Sequence, residues 1–383
     1  MKGKATINDI ATAAGVSKTT VSRYINGKQD LLSEKTRTRI EKAIQIAHYH
    51  PSAVARSLKT QRSFLIGVIV ANITTPFATS LLNGISNRLR KDNYTPIFTD
   101  AGDSPEREHE LIESLIGHQI DGLIVNTTTS KNDELISLST TGMPIVLVDR
   151  LIDDHTFDIA LSSYREPSLK LMHEIHHQGF GRAVLFTQPF ENNSARTARR
   201  DAFAEGDLSY FGIKDVAKDI YIVNPWEAST VEMALNAMLA STPKNIIPAI
   251  YATNTVTLIA TFNAICKLKL KIPDQIGICG PDDWGWARSM DWDWASTLDV
   301  GVTTFMTDPY TMGYEAASLM ITRIKDPDRK KETRIIPTKL VIRASTKLKY
   351  RYAHALYIND FRAHAHEELS FPIILRRSAL QSY

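Results

Sequence analysis

The sequence predicts a small all-α head followed by a larger α/β body with parallel sheets. Within the first 49 residues, short amphipathic helical patterns are separated by a glycine turn. From Phe64 onward, short apolar runs alternate with amphipathic stretches, and this alternation is typical of parallel sheets with helices on both faces. The charge also differs between the head and the body. Residues 1–62 contain 12 Lys and Arg against 4 Asp and Glu, whereas the formal net charge of the whole chain is only +3.

Composition limits the functional classes. The chain has 383 residues, enough for two or three domains, and its two cysteines cannot form a disulfide framework. The longest apolar run, FLIGVIVANI, is too short to cross a bilayer, and the N-terminus lacks the apolar segment of a secretion signal. We therefore expect a cytoplasmic protein with no membrane partner. A basic head on an acidic body indicates a nucleic-acid partner, and the alternative is a solvated basic surface.

The head contains the signals of three helices. Thr6 and Asp9 resemble a capping box at the start of the first helix, and Gly15 ends it. Ser17 is a good N-cap for the second helix, and the third runs over residues 33–47. Two short helices joined by a tight glycine turn form a helix-turn-helix pattern. The second helix of such a motif enters the major groove, where Lys18, Thr19, Ser22 and Arg23 would reach base edges.

These residues resemble a known family. The stretches TINDIATAAGVSKTTVSRYING, SEKTR and HPSAVARSLKT are similar to the DNA-binding head and hinge of the LacI/GalR family of bacterial repressors, and the likeness continues to about Ser345. It implies a periplasmic-binding-protein-like body of two doubly wound parallel-sheet subdomains, a homodimer, operator double-stranded DNA as partner and a small-molecule effector without a cofactor. The DNA-binding residues expected on this basis are Thr6, Ser17, Lys18, Thr19, Thr20, Ser22, Arg23, Asn26, Ser52, Ala55, Leu58 and Lys59.

The stretch PSAVARSLKT predicts a hinge helix too short to be stable alone in water. The resemblance implies that two copies, one from each subunit, fold together on operator DNA. Leu58 would then act as an apolar wedge between base steps in the minor groove, with Arg56 and Lys59 suited to the groove and the phosphates. The alternative is a linker helix whose leucine belongs to a core.

The predicted organisation follows from these patterns and the resemblance. The crossovers between subdomains are expected near residues 163–166, 297–300 and 327–331. The predicted parts are a DNA-binding domain (1–49), a hinge helix (50–62), an N-terminal effector subdomain (63–165 with 298–329), a C-terminal effector subdomain (166–297 with 330–345) and an atypical tail (346–383).

Polar residues follow several predicted strands, at the edge where parallel sheets bind ligands. Asp149 and Arg150 follow PIVLV, Asn254 follows AIYAT and Asp282 follows IGICG. With the motif positions that the resemblance adds, the expected effector-binding residues are Phe77, Asp149, Arg150, Arg196, Arg199, Trp226, Asn254, Asp282 and Trp284. The alternatives are structural ion pairs or helix caps for the arginines and Asp282, and a core position for Trp226.

The arginines indicate the chemical class of the effector. A guanidinium matches a carboxylate or phosphate with two parallel hydrogen bonds, whereas a neutral sugar needs fewer cations. The stretch GPDDWGWA also resembles the gluconate and ketodeoxygluconate branch of the family. We therefore predict a repressor of carbohydrate genes that responds to a sugar acid such as 2-keto-3-deoxygluconate, free or phosphorylated. The alternative for Arg150 is an ion pair with a neighbouring acid such as Asp153.

One motif would fit an enzyme instead. Residues 173–177 read HEIHH, which satisfies the zinc protease pattern with His173, Glu174 and His177. A zinc hydrolase would need a third ligand, and the sequence offers no H-x-x-G-x-x-H extension. The helix instead stops at Gly179 and leads into a strand, so we expect a regulator without catalytic residues or a metal.

Overall fold

The computed structural model describes residues 5–25, 27–49, 60, 62–153, 155–281, 294–297 and 300–348. Several predictions concern positions outside these ranges, namely Asn26, Ser52, Ala55, Arg56, Leu58, Lys59, Asp282, Trp284 and the tail beyond residue 348.

The head folds as three helices, α1 (Ile7–Ala14), α2 (Lys18–Ile25) and α3 (Glu34–Ile46). The predicted capping box is present, since the Thr6 hydroxyl accepts from the Asp9 N–H and the Asp9 carboxylate accepts from the Thr6 N–H at 2.7 Å. Gly15 ends α1 in the left-handed conformation with φ 60°, which favours glycine. The fully buried Ile10, Val21 and Ile40 form the centre of the small core between the helices.

The body contains two six-stranded sheets. The first has the order β11-β5-β4-β3-β1-β2 with every pair parallel. Its strands are β1 (Leu65–Val70), β2 (Thr95–Asp100), β3 (Gly122–Val125), β4 (Ile145–Val148), β5 (Asp158–Ser162) and β11 (Thr333–Ile336). The second has the order β12-β10-β9-β8-β6-β7 and is parallel except for the antiparallel pair β10–β12. Its strands are β6 (Arg182–Thr187), β7 (Ile220–Ile222), β8 (Pro248–Ala252), β9 (Gly277–Pro281), β10 (Thr303–Met306) and β12 (Lys339–Val341).

Helices cover both faces of each sheet, as strand–helix alternation predicts. The helices of the body are α4 (Pro76–Arg90), α5 (Pro105–Gly117), α6 (Asp133–Thr140), α7 (Arg165–His177), α8 (Ser194–Gly206), α9 (Ala228–Ser241), α10 (Thr255–Lys267), the short α11 (Trp294–Thr297) and α12 (Pro309–Lys325). Their apolar faces and the strands form four buried clusters, two beside each sheet. Within the described ranges, no helix is long and apolar enough to cross a membrane.

The predicted subdomain limits need a correction. The first crossover lies at 163–164, inside the predicted 163–166, but the other two come later in the chain. Strand β10 pairs with β9 in the second sheet, so that crossover lies at 307–308 rather than 297–300. Strand β11 pairs with β5 in the first sheet, so the third lies at 337–338 rather than 327–331. Pairing between strands far apart in the chain decides these limits, and no local sequence signal marks it.

Candidate effector and DNA-binding sites

A cleft lies between the two subdomains, at the carboxyl ends of several strands. It contains roughly 780 Å³ of empty space, including its open mouth. The first subdomain contributes Asn72, Thr75, Phe77, Asp103, Asn126, Asp149 and Arg150, and the second contributes Gln188, Asn193, Ala195, Arg196, Arg199, Trp226, Asn254, Thr255 and Val256. Every predicted effector residue that the structure describes is therefore in this cleft, although its role in binding an effector stays a prediction.

Three arginines meet in the cleft from both subdomains, and each donates to uncharged oxygens. Arg150, just after β4, donates from Nη1 to the Thr127 carbonyl at 2.9 Å. Arg196, in the first turn of α8, donates to the Pro189 carbonyl at 2.9 Å and to the Gln188 side-chain oxygen at 3.2 Å.

Arg199 lies one turn further along α8 and is buried. Its Nη1 donates to the Thr253 carbonyl at 3.1 Å, and its guanidinium lies 4.0 Å from the centre of the Tyr164 ring. The ring face attracts the cation and fixes the plane of the guanidinium.

Burial and neighbouring charges shift the pKa values of Arg150 and Arg196. Burial lowers the pKa of Arg150, with Asp103 and Asp149 raising it and Arg199 lowering it further. Burial also lowers the pKa of Arg196 to about 10, and the charges of Arg150 and Arg199 act in the same direction. A pKa of about 10 keeps Arg196 a cation at neutral pH. The cleft therefore holds concentrated positive charge, which would be stabilised by an anion.

Arg150 does not pair with Asp153, the acid named for its ion-pair alternative. Asp153 instead accepts a hydrogen bond from the Ser130 hydroxyl at 2.8 Å, while Arg150 turns to the Thr127 carbonyl. Among the charges that act on Arg150, Asp149 has the strongest effect, and its backbone has φ 63°. The buried Oδ1 of Asp149 has no hydrogen-bond partner within the described part of the chain. An acceptor left open in a polar cleft is suited to a hydroxyl of a ligand.

Asn254 and Trp226 complete the site from the second subdomain. Asn254 caps α10, with Oδ1 accepting from the Thr257 N–H at 2.9 Å, and its Nδ2 donates to the Gln188 side-chain oxygen at 2.7 Å. Trp226 is 64% exposed, so the alternative of a core position is wrong for this residue. An exposed indole at the rim of a cleft offers an apolar face to the carbon skeleton of a ligand.

Sequence reasoning missed seven polar residues of the described cleft lining, and four of them follow the ends of strands. Asn72, Asp103, Asn126 and Gln188 each lie one to three residues beyond the end of a parallel strand. They are linked locally, for example by the Asn72 Nδ2 donating to Asp103 at 2.9 Å. The tendency of ligands to bind beyond the carboxyl ends of parallel strands is the signal that identifies these four residues.

In the head, α2 presents the polar face that the helix-turn-helix pattern predicts. Lys18, Thr19 and Arg23 are exposed and Val21 is fully buried beneath them. Ser22 is half-buried at the edge of this face. The exposed side chains of the first turns are thus available for contacts with bases or phosphates.

Thr6, Ser17 and Thr20, the other predicted DNA-binding residues of the head within the described ranges, also have local structural roles. Thr6 caps α1, and Ser17 accepts from the Thr20 N–H at 3.1 Å to begin α2. The hydroxyls of Ser17 and Thr20 are 2.8 Å apart. A helix N-terminus capped in this way still directs its first N–H groups outward, where a phosphate can bind.

The zinc hydrolase alternative finds no support in the geometry. His173 and His177 lie on α7 with ring centroids 6.1 Å apart, and the His173 ring contacts Tyr210. Glu174 accepts from the Gln178 side chain at 2.7 Å. No group of three or more His, Cys, Asp or Glu residues could hold a metal ion in the ranges that the structure describes.

A helix-turn-helix head joined to a two-subdomain α/β body with an interdomain cleft defines a class of ligand-controlled DNA-binding regulators. Residues 6–52 match the family described as bacterial regulatory proteins, lacI family. Residues 63–344 match the family described as periplasmic binding proteins and sugar binding domain of LacI family. The chain belongs to the LacI family of transcription regulators, whose members bind operator DNA and small-molecule effectors.

Individual relatives agree with this assignment. The chain is 30% identical over 343 residues to the HTH-type transcriptional regulator KdgR of Bacillus subtilis, covering 90% of this chain and 98% of the relative. It is 30% identical over 351 residues to the HTH-type transcriptional regulator PtxS of Pseudomonas aeruginosa, covering 90% and 96%. The lac repressor dimer bound to operator and the anti-inducer ONPF has a similar fold, with 22% identity, a TM-score of 0.75 and coverage of 90% and 100%.

Proposed function

We propose that this regulator is a cytoplasmic, homodimeric repressor of sugar-acid utilisation genes, with a sugar acid such as 2-keto-3-deoxygluconate as its effector. The observation that carries the proposal is the group formed by Arg150, Arg196 and Arg199. DNA binding places the protein where the chromosome is, and the lac repressor dimer on its operator supports a dimeric state.

Charge balance favours an anionic effector over a neutral one. Among the described residues that line the cleft, three arginines accompany two aspartates, Asp103 and Asp149. Arg150 and Arg196 donate to uncharged oxygens, so no direct carboxylate contact neutralises their charge within the described ranges. A carboxylate between these side chains would gain charge-assisted hydrogen bonds away from bulk water, and these are about twice as strong as neutral ones.

The rest of the cleft suits a polyhydroxylated carbon chain. The open Oδ1 of Asp149 would accept from one hydroxyl, and Asn126 and Asn254 offer further polar atoms nearby. Trp226 would cover the apolar face of the carbon skeleton. The alternative effector is a neutral sugar, since the solved structure of the regulator CelR contains cellobiose. CelR has a similar fold, with 20% identity to this chain, a TM-score of 0.63 and coverage of 89% of this chain and 99% of CelR.

The proposed mechanism is linkage between the cleft and the DNA-binding head. An effector held by Arg150 from one subdomain and Arg196 from the other favours one relative orientation of the two subdomains. A ligand can shift this equilibrium only by its difference in affinity for the two orientations, and DNA affinity shifts by the same coupling free energy. Lys18, Thr19, Ser22 and Arg23 would read the operator from α2.

A thermal-shift panel tests the effector class. A ligand at 100 times its Kd stabilises the folded state by about 2.7 kcal/mol, which raises the melting temperature measurably. We expect 2-keto-3-deoxygluconate or gluconate to raise it in the wild type, with cellobiose and ribose inactive. Arg196→Gln should weaken sugar-acid binding about tenfold or more, because it removes charge-assisted hydrogen bonds.

The matched control is Arg200→Gln. Arg200 is on the same helix but pairs with Asp201 at 2.9 Å and does not line the cleft. This variant should keep the wild-type response to sugar acids. A shift with neutral sugars alone, or an undiminished sugar-acid shift in Arg196→Gln and Arg199→Ala, would show that the effector is not recognised as an anion.

A further inference from the structure

The chain from the head enters the body through residues 62–64, which we call the linker anchor. The carboxylate of Asp121, directly before β3, accepts three hydrogen bonds from it. Oδ1 accepts from the Ser63 N–H at 2.8 Å and the Ser63 hydroxyl at 2.9 Å, and Oδ2 accepts from the Phe64 N–H at 3.0 Å. One carboxylate thus fixes two successive residues at the point where the chain enters β1.

Arg62 ties the same anchor to another element. Its Nη2 donates to the Ile324 carbonyl in the last turn of α12 at 3.1 Å, and its Nη1 reaches the Tyr94 hydroxyl at 3.4 Å. The side chain therefore connects the incoming chain to the end of a helix that begins at the crossover between the subdomains.

Phe64 adopts a backbone conformation that is unusual for a bulky residue, with φ 59°. Its surroundings hold it there, because its carbonyl accepts from the Thr95 N–H at 2.9 Å and its ring lies 5.4 Å from the Tyr94 ring. Strained conformations persist only where the surroundings determine them, and they are concentrated at functional and switch regions. Contacts on both sides therefore hold the backbone at Phe64.

Helices α4 and α12 lie against each other with unusually close backbones. A Cβ on Gly84 would lie 2.0 Å from the Tyr310 carbonyl oxygen, and a Cβ on Gly313 would lie 2.1 Å from the Leu81 carbonyl oxygen. Backbones in such close contact leave little freedom to slide, so the two helices move as one body.

This helix pair runs from the cleft to the linker anchor. Near its start, Phe77 of α4 lines the cleft, and α12 begins directly after the crossover at 307–308. At its other end, Asp92 joins the two helices by accepting from Lys325 at 2.8 Å, and the Ile324 carbonyl receives Arg62. With 15 residues, α4 covers about 22 Å of this path.

We propose that Asp121 and Arg62 are positioning residues for DNA binding. They fix the direction in which the chain leaves the body, and the α4–α12 pair passes movements at the cleft and crossover to this anchor. A fixed exit lowers the conformational entropy lost when the head and linker become ordered on an operator. Because the helices are rigid, a rotation at the crossover reaches the anchor instead of being absorbed on the way. The effector-dependent part of the proposal rests on the proposed function, and the anchor itself does not.

The test uses the full-length protein and the DNA duplex that the wild type selects from a random pool. In Asp121→Asn, an amide NH2 replaces one acceptor opposite the backbone N–H groups of the anchor. We expect its affinity for the selected duplex to fall about tenfold, and the thermal shift caused by 2-keto-3-deoxygluconate to be unchanged. The slope of log Kd against log salt should also be unchanged, since no phosphate contact is lost.

Two further variants separate positioning from folding. Ser63→Ala removes one hydrogen bond to Asp121 without changing a charge, so its affinity for the selected duplex should fall in the same direction by a smaller factor. Asp201→Asn removes an exposed carboxylate in the second subdomain and should bind the duplex like the wild type.

Wild-type affinity for the selected duplex in both Asp121→Asn and Ser63→Ala would overturn the proposal. If Asp121→Asn lost the same factor of affinity for the selected duplex and for a random duplex, the proposal would also be overturned, because general unfolding weakens binding to both duplexes equally. If the sugar acid fails to shift the wild type, the proposed function fails while the comparison of DNA affinities still tests the anchor.

Discussion

Asp207 provides a prediction about pH that depends on a single buried carboxyl. It begins a π-helical turn, Asp207–Phe211, that continues α8. The side chain is fully buried, and neither carboxylate oxygen has a hydrogen-bond partner within the described part of the chain. Burial raises the pKa of Asp207 to about 7, and the charge of Asp219 raises it further while Arg182 lowers it. Arg182 is itself paired with Asp219 at 2.6 Å.

The sign of the effect follows from proton binding. Between pH 3.8 and about 7 the folded protein binds more protons at Asp207 than the unfolded chain does, so stability falls as pH rises through this window and levels off above it. Each pKa unit corresponds to about 1.4 kcal/mol, which gives an upper limit of about 4 kcal/mol for the whole shift. Between pH 5 and pH 8, the loss should be roughly 2–3 kcal/mol.

The perturbation is Asp207→Asn, which keeps the shape and cannot ionise. Urea unfolding at pH 5 and pH 8, followed by circular dichroism, gives the free energy of unfolding at each pH. The loss of stability between these pH values should be smaller in the variant than in the wild type by roughly 2–3 kcal/mol. Asp215→Asn is the control, since this carboxylate is 63% exposed. A variant with the same pH dependence as the wild type would refute the reasoning.

Three further predictions concern packing, charge and DNA. Gly84→Ala should lower the free energy of unfolding in urea by about 1–3 kcal/mol, because the new Cβ meets a backbone carbonyl. The control Gly117→Ala has nothing within 4 Å of its new Cβ and should be neutral or stabilising. Equal effects of the two substitutions would contradict the close contact between α4 and α12. Asp158→Ala should cost about 3–5 kcal/mol because it leaves the buried Arg323 without its carboxylate partner. The control Glu232→Gln, at a partly exposed ion pair, should cost at most about 1 kcal/mol. A loss for Asp158→Ala no larger than the control's would exclude a stabilising buried ion pair. Leu58→Ala should reduce operator affinity and bending, measured by gel mobility of circularly permuted fragments, and unchanged bending would exclude the wedge role.

The local signals in the sequence predicted the head well. Helix α1 begins at the Thr6 cap and ends at Gly15, and α2 begins after Ser17, because capping and left-handed glycine depend on a few neighbouring residues. The parallel sheets were also predictable, because the alternation of apolar strands with amphipathic helices can be read directly along the chain. The second and third crossovers were predicted too early, since the pairings β10–β9 and β11–β5 depend on residues far apart in the chain.

The candidate site was predictable where a strand end coincided with a recognised motif. Arg150 and Asn254 satisfy both conditions, and the structure brings them into one cleft. Asp103 lies in a turn after β2 without such a motif, and it reaches the cleft only through the fold. The burial of Asp207 was not predictable either, because a charged residue at the end of a polar helix gives no sign that the chain continues as a buried π-helical turn.

The claim that a sugar acid in the cleft controls DNA binding is tested most directly by fluorescence anisotropy. A labelled duplex selected by the wild type is titrated with protein in the absence and presence of saturating 2-keto-3-deoxygluconate, with cellobiose as the neutral comparison. We predict that the sugar acid changes the operator Kd at least about fivefold and that cellobiose leaves it unchanged. In Arg196→Gln, the sugar-acid concentration that gives half of this change should rise about tenfold or more. An operator Kd unaffected by the sugar acid, or changed equally by cellobiose, would contradict the account.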